Sequence, residues 1–200
     1  MKLTKEGVLS LSATDLSNHL SCKHLTNLEI QRAEGTLTRP ERKNAFLDRI
    51  IDRGLAHEES YVRHLESIHG NSIIKFENKD AKAKEKTINA MQEGIKVIVQ
   101  GALANKQWGG RPDILLRVDA LSSYFGNWSY QAADTKLTRT TKAGTILQLC
   151  VYSDLLNEVQ GAQPENMIVV MPDAENPELF TVESHRLDDY AAYYLSLIHI

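Results

Sequence analysis

The chain has 200 residues, of which 42% are hydrophobic and 24% charged, and its net charge is 23 − 26 = −3. This composition predicts one globular domain with a sizeable core and excludes wholesale disorder. No apolar run is long enough for a transmembrane helix, and the N-terminus lacks the apolar region of a signal peptide. Two cysteines are too few for a disulfide framework, so we expect a cytoplasmic protein without a membrane partner.

Charge is distributed unevenly along the chain. Residues 153–190 hold nine acidic residues and one basic residue, whereas residues 1–152 have a net charge of 22 − 17 = +5. A mild basic excess permits a nucleic-acid surface without requiring one. An ordinary solvated surface explains the charge equally well.

Helices dominate the predicted elements of the first half. Ser12 and Asp15 are capping residues and predict a helix start, followed by a break at Cys22 and a second helix to about Ala33. Residues 35–44 form a basic connection, and apolar positions then recur at helical spacing from Ala45 to about His69. A short strand at 73–76 and a helix at 80–94 follow.

The second half changes to strands. Three strands are predicted at 96–103, 108–118 and 128–136, then a helix capped by Thr140 or Thr141 that runs to about Glu158. Strands at 166–171 and 179–183 and a helix from about Leu187 complete the chain. This order predicts an α/β fold: a central mixed sheet (three-strand meander, helix, strand) flanked by helices, with an N-terminal helical region.

Two carboxylates and a lysine are the best candidates for chemistry. Asp113 leads into the apolar run ILLRV, and Asp134 and Lys136 project from the same face of the next strand because side chains alternate with period 2. Carboxylates on neighbouring strands form an oxygen-rich site suited to Mg²⁺ or Mn²⁺. An adjacent lysine can orient or deprotonate water and offset charge on a phosphate. The alternative is an exposed Asp–Lys ion pair and a turn aspartate.

The order of the surrounding motifs favours the functional interpretation. A helical segment, RGLAHEESYVRHL, precedes GGRPDILLRV, and ADTKLTRTTKAGTILQLCVYSDLL follows it. In the last of these, Gln148 and Tyr152 are four residues apart and share one helical face.

Together with the opening ATDLSNHLSCKHLTNLE, these motifs resemble those of the PD-(D/E)XK nucleases of the RecB/Cas4 type. The likeness is greatest to the RecB-like nuclease module at the N-terminus of bacterial helicase fusions. It covers nearly the whole chain and implies a restriction-endonuclease-like core in a single domain, residues 1–194. We expect this domain to be truncated at its C-terminus and residues 195–200 to be a non-native tail.

The resemblance implies roles for individual residues. His57, Asp113 and Asp134 would be metal ligands, Asp113 and Asp134 with Lys136 would form the catalytic signature, and Gln148 and Tyr152 would support the site. Tyr152 would also contact the nucleic-acid backbone. Arg111, Arg139 and Lys142 are candidates for phosphate contacts, although solvated positions explain Arg139 and Lys142 equally well. Glu58 and Glu59 follow His57 directly, and a place in the metal shell is open to either. We interpret both as solvated, because adjacent helical positions diverge by about 100° and Glu58 then could not share the face of His57.

Cys22 occupies the place of the first of four cysteines that bind a 4Fe–4S cluster in related nucleases. The only other cysteine, Cys150, lies in the helix of Gln148 and Tyr152 and is predicted to be a small buried hydrophobe. We therefore expect a cluster only in a longer form of the protein, not in this chain.

The sequence thus predicts a Mg²⁺- or Mn²⁺-dependent hydrolase of DNA phosphodiester bonds that acts on single strands or ends, in repair, recombination or defence. A helicase, fused or separate, is the expected protein partner. Two alternatives stay open: a catalytically inactive nucleic-acid-binding module, and a helicase-docking module of the same fold.

Overall fold

The structure is a computed structural model that describes residues 1–4, 6–40, 44–77, 80, 82–176 and 178–199. Within these residues the helices are α1 (Ala13–Ser21), α2 (Lys23–Ala33), α3 (Ala45–His69), α4 (Ala83–Gln92), α5 (Ala143–Gln160) and α6 (Asp188–Leu197). The strands are β1 (Lys2–Leu3), β2 (Leu9–Ser12), β3 (Ile73–Lys75), β4 (Val97–Val99), β5 (Leu103–Ala104), β6 (Trp108–Gly110), β7 (Ile114–Val118), β8 (Ser129–Thr135), β9 (Asn166–Pro172) and β10 (Phe180–Arg186).

The larger sheet has six strands in the order β10-β9-β8-β7-β4-β3. Strand β7 pairs antiparallel with β4 on one side and with β8 on the other, which confirms the predicted three-strand meander. The crossover through α5 then returns the chain to a parallel neighbour, β9, and β10 adds an antiparallel edge. The molecule is therefore an α/β protein with a mixed sheet.

A four-stranded sheet with the order β1-β2-β6-β5 is absent from the sequence prediction. Two long strands were predicted at 96–103 and 108–118, and this prediction is wrong, because each segment divides between the two sheets. The first breaks at Gln100, whose φ is 54°, and the second at Pro112, which has no N–H for a ladder. The breaks let one chain segment serve both sheets.

The N-terminal helices begin and end as predicted. The Ser12 hydroxyl accepts from Asp15 N while the Asp15 carboxylate accepts from Ser12 N at 2.7 Å, which is a capping box. Cys22 is the break between α1 and α2. For α5 the predicted cap is wrong: the helix begins after Lys142 without a side-chain cap, and Thr141 instead donates to Glu183 at 2.6 Å.

Helix α3 has the predicted span but two different environments. Its C-terminal half packs on the sheet through Tyr61, Val62 and Leu65, which are buried. Its N-terminal half exposes apolar side chains, with Phe46 73% and Leu55 60% accessible. The buried half places residues 57 and 58 over the strand ends described below. No helix among the described residues is both long and apolar enough to cross a membrane.

Gln160 completes the hydrogen bonding of strand β8. Its fully buried side chain accepts from Tyr130 N at 2.8 Å and donates to the carbonyls of Tyr130 and Ala162 at 3.1 and 2.8 Å. The Gln160 amide thus pairs with both the N–H and the C=O of Tyr130, a residue of β8 that has no partner in β9. Because strand β8 also carries Asp134, this amide supports the strand on which the candidate site depends.

We expect Gln160→Leu to lower the free energy of unfolding by about 2–4 kcal/mol, because it leaves a buried N–H and C=O unpaired at nearly constant volume. Urea denaturation measures the change. Gln163→Leu, at an exposed position three residues later, is the matched control and should change stability by less than about 0.5 kcal/mol. Equal effects of the two substitutions would contradict this role of Gln160.

Candidate active site

Asp113 and Asp134 lie opposite each other on neighbouring strands. Ile114 pairs with Ala133 in the antiparallel register of β7 and β8, which brings the residue before Ile114 next to the residue after Ala133. The Asp113 carboxylate accepts from Thr135 N at 2.8 Å and from the Thr135 hydroxyl at 3.0 Å. These bonds fix the orientation of one carboxylate at the end of the sheet.

Asp134 is the more buried of the two, with 4% of its surface accessible. The Lys136 ammonium forms an ion pair with Asp134 Oδ2, yet this oxygen accepts no well-directed hydrogen bond from the described residues. Burial raises the pKa of Asp134 to about 7, with a further increase from the charge of Asp113 and a partial decrease from Lys136. The structure therefore brings Asp113, Asp134 and Lys136 together in an electrostatically unfavourable arrangement.

Helix α5 forms the wall behind the two aspartates. Tyr152 is buried, its hydroxyl donates to the Arg111 carbonyl at 3.2 Å, and burial raises its pKa, helped by the charges of Asp134 and Asp113. A Cβ added at Gly110 would come within 2.8 Å of the Tyr152 ring, so only glycine lets the strand pass. Gln148, on the same helix face, is half-buried and makes no side-chain hydrogen bond to the described residues.

His57 lies on the other side of the sheet from the Asp134 carboxylate. Its Nε2 is 3.4 Å from the Val170 carbonyl, and its ring packs against Phe180 with a centroid distance of 5.7 Å. Asp134, by contrast, has the strand parity of Tyr130 and Ala132, which pack in the core that includes α5. The structure brings Asp113 and Asp134 together but does not bring His57 to them, so its role as a ligand stays a prediction.

Glu58 lies closer to the site than its interpretation as a solvated residue predicts. It is half-buried, and Gln100 Nε2 donates to its Oε1 at 2.6 Å. Burial raises the pKa of Glu58, and the charge of Asp113 raises it further, while the Gln100 hydrogen bond and Lys136 lower it. The interpretation of Glu58 as a solvated residue is therefore wrong. The buried stripe of α3 is wide enough for both neighbours, with His57 in line with Tyr61 and Glu58 in line with Val62.

The three basic candidates for phosphate contacts have different surroundings. Arg111 Nη1 donates to the carbonyls of Glu77 and Gln100, each at 3.1 Å, so part of its guanidinium supports the local backbone. Arg139 and Lys142 are exposed in the segment between β8 and α5. Nothing in these contacts assigns any of the three to a phosphate.

The two cysteines lie in different environments. Cys22 is exposed at the junction of α1 and α2, whereas Cys150 is fully buried with its Sγ 3.7 Å from Met167 Sδ. Burial raises the pKa of the Cys150 thiol to about 12. The prediction that Cys150 is a small buried hydrophobe is confirmed.

The ligand atoms that the site offers are of the chemical type that a hard divalent cation prefers. The negatively charged groups of the site are carboxylates, and the buried Asp134 Oδ2 is paired with the Lys136 ammonium. Within the described ranges, however, no three His, Cys, Asp or Glu side chains are gathered closely enough to hold a metal ion. Asp113 and Asp134 are therefore the two groups that fit such an ion, and Glu58 is a third carboxylate whose charge is coupled to theirs.

Comparison with models of known protein families gives no match for this chain, and comparison with curated proteins gives no similar sequence.

We expect Asp134→Asn to stabilise the metal-free protein at pH 8 by about 1–3 kcal/mol, because it removes a buried charge beside Asp113. The raised folded-state pKa fixes the sign: wild type loses stability as pH rises from about 4 to 7, and Asn does not. The gain should vanish near pH 4. Thermal unfolding in EDTA measures it, with Asp52→Asn, on the exposed half of α3, as the control. A destabilised Asn variant at pH 8 would contradict this electrostatic account.

Proposed function

We propose that this protein is a metal-dependent nuclease with a restriction-endonuclease-like core that hydrolyses DNA phosphodiester bonds. The observation that carries the proposal is the group formed by Asp113, Asp134 and Lys136, in which two carboxylates meet at the end of two central strands and one of them, Asp134, is buried. Lys136 is paired with Asp134, yet burial and the charge of Asp113 still raise the pKa of Asp134 to about 7, because a buried charge is costly. A divalent cation would offset the negative charge that Lys136 leaves uncompensated.

Asp113 and Asp134 would hold Mg²⁺ or Mn²⁺, which when bound polarises a phosphate oxygen and lowers the pKa of water. Thr135 keeps Asp113 oriented through two hydrogen bonds, so this ligand is preorganised. Lys136 is about one-third exposed, which lets its ammonium face both Asp134 and an approaching phosphate. Its role is to orient the attacking water and to stabilise the negative charge of the transition state.

Glu58 is a candidate additional ligand on the Asp113 side of the site. Its carboxylate is electrostatically coupled to Asp113 and Lys136, whereas His57 contacts the Val170 carbonyl and Phe180. A third carboxylate makes the site more negative and suits a small hard cation. The resemblance to RecB-like nucleases favours His57, and the contacts of α3 favour Glu58.

The substrate proposed is single-stranded DNA or DNA ends, by resemblance to that family. Arg139 and Lys142 are exposed in the segment that follows β8, and they would contact backbone phosphates. Such contacts carry no sequence information, so binding should weaken as salt concentration rises. A helicase, fused or separate, would supply unwound strands in repair, recombination or defence.

We expect wild-type protein to cleave end-labelled single-stranded DNA with Mn²⁺ or Mg²⁺ and not with EDTA. Lys136→Ala should reduce the cleavage rate by about 10²–10³-fold, because it removes the positive charge that faces the transition state. DNA binding, measured in EDTA, should change less than threefold. Lys106→Ala, at an exposed lysine between β5 and β6, is the matched control and should cleave at the wild-type rate.

Absence of products from folded wild type that still binds DNA would refute the catalytic proposal and favour a binding module. A folded wild type that neither cleaves nor binds DNA would favour the helicase-docking module. Circular dichroism and thermal unfolding of the same preparation establish that the protein is folded.

Replacement of the neighbouring helix residues tests which of them serves the metal. We expect Glu58→Gln to raise the Mn²⁺ dissociation constant at least about tenfold, and His57→Gln to raise it less, because only Glu58 is coupled to Asp113. Calorimetric titration with Mn²⁺ provides the measurement, and Glu59→Gln, at the exposed next residue, is the control. A larger loss with His57→Gln would instead assign the ligand role to the histidine.

A further inference from the structure

Gln100 has an unusual backbone conformation at the edge of the candidate site. Its φ of 54° makes it the one non-glycine residue with a positive φ in the described part of the chain. For a residue with a Cβ this left-handed conformation costs about 1–2 kcal/mol. Gly101, the next residue, has no such φ, so the strained position is occupied by the residue with the long polar side chain.

Three hydrogen bonds hold this conformation, and each leads to a different part of the site. Gln100 N donates to the Asp113 carbonyl at 2.9 Å, and the Gln100 carbonyl accepts from Arg111 Nη1 at 3.1 Å. The side-chain Nε2 donates to Glu58 Oε1 at 2.6 Å. Gln100 therefore links the end of β4 to the strand that begins at Asp113 and to helix α3.

The side chain and the backbone have separable roles. The backbone bonds to Asp113 and Arg111 are available to any residue in this conformation, and glycine adopts it without strain. The bond to Glu58 needs a donor at the end of a three-carbon arm. Glu58 also faces the like charge of Asp113, and the Gln100 hydrogen bond opposes that repulsion together with the more weakly acting charge of Lys136.

We infer that Gln100 is a positioning residue that holds the Glu58 carboxylate beside Asp113, ready to bind the divalent cation. This inference rests on the proposed function for the identity of the cation. The hydrogen bond occupies one oxygen of Glu58 and leaves the other for a ligand bond. Such supporting contacts around metal ligands commonly change metal affinity by about 10–100-fold.

The test compares Gln100→Gly with wild type. Glycine removes the amide while it relieves the backbone. We expect this substitution to raise the Mn²⁺ dissociation constant about tenfold or more in calorimetric titration. In cleavage assays the Mn²⁺ concentration for half-maximal rate should rise similarly with glycine, while the rate at saturating Mn²⁺ stays within about threefold of wild type. Gln163→Gly, at an exposed glutamine, should bind Mn²⁺ as wild type does.

A separate experiment measures the Gln100–Glu58 contact without metal. In a double-mutant cycle of Gln100→Gly and Glu58→Ala, urea denaturation in EDTA gives the coupling between the two side chains. Gln100→Gly changes the unfolding equilibrium constant by one factor in the wild-type background and by another in the Glu58→Ala background. We expect the factor to be about tenfold smaller in the Glu58→Ala background.

Unchanged Mn²⁺ affinity in Gln100→Gly, with wild type binding Mn²⁺, would overturn the inference, and so would an absence of coupling in the cycle. A wild type that binds no Mn²⁺ and cleaves no DNA would overturn the proposed function instead. In that case the coupling measurement alone decides whether Gln100 positions Glu58.

Discussion

The constraint on which the rest of the site depends is the burial of the Asp134 carboxylate on a central strand. A charge in this place raises the folded state's free energy, and the Lys136 ion pair offsets only part of the cost, since the pKa of Asp134 is still raised. The strand tolerates the charge because it is held on both sides, by β7 and β9, and at Tyr130 by Gln160. Rigidity of the sheet thus maintains an unfavourable electrostatic arrangement.

The antiparallel register of β7 and β8 places a second carboxylate next to the buried one. It sets Asp113 opposite Asp134, and the same edge of the sheet receives the end of β4 at Gln100 and the middle of α3 at Glu58. Elements far apart in sequence therefore meet where each strand ends, as functional groups commonly do in sheets covered by helices. The break at Gln100 is part of this arrangement, because in a continuous strand residue 100 would share the parity of Ile98 and point away from α3.

Local patterns made the helices and the meander predictable, whereas positions determined by long-range pairing were not. The capping box at Ser12 and the apolar spacing of α3 depend on neighbours in sequence. The transfer of β5 and β6 to a second sheet depends on a strained Gln100 and on partners near the N-terminus, which no local pattern indicates. Asp113, Asp134 and Lys136 were predictable from strand periodicity. The partial burial of Glu58 was not predictable, because the face of α3 that packs on the sheet is wide enough to include two adjacent positions.

The charges of the site point to its occupant. Glu58, Asp113 and Asp134 carry three negative charges when ionised, against one positive charge on Lys136. Burial raises the pKa values of Glu58 and Asp134, and the charge of Asp113 raises both further, so protons partly neutralise the group. A bound divalent cation would neutralise it at higher pH, and it would stabilise the folded protein because the unfolded chain has no such gathered ligands. The electrostatic cost of gathering these carboxylates is thus the quantity that a bound divalent cation would offset under the proposed function.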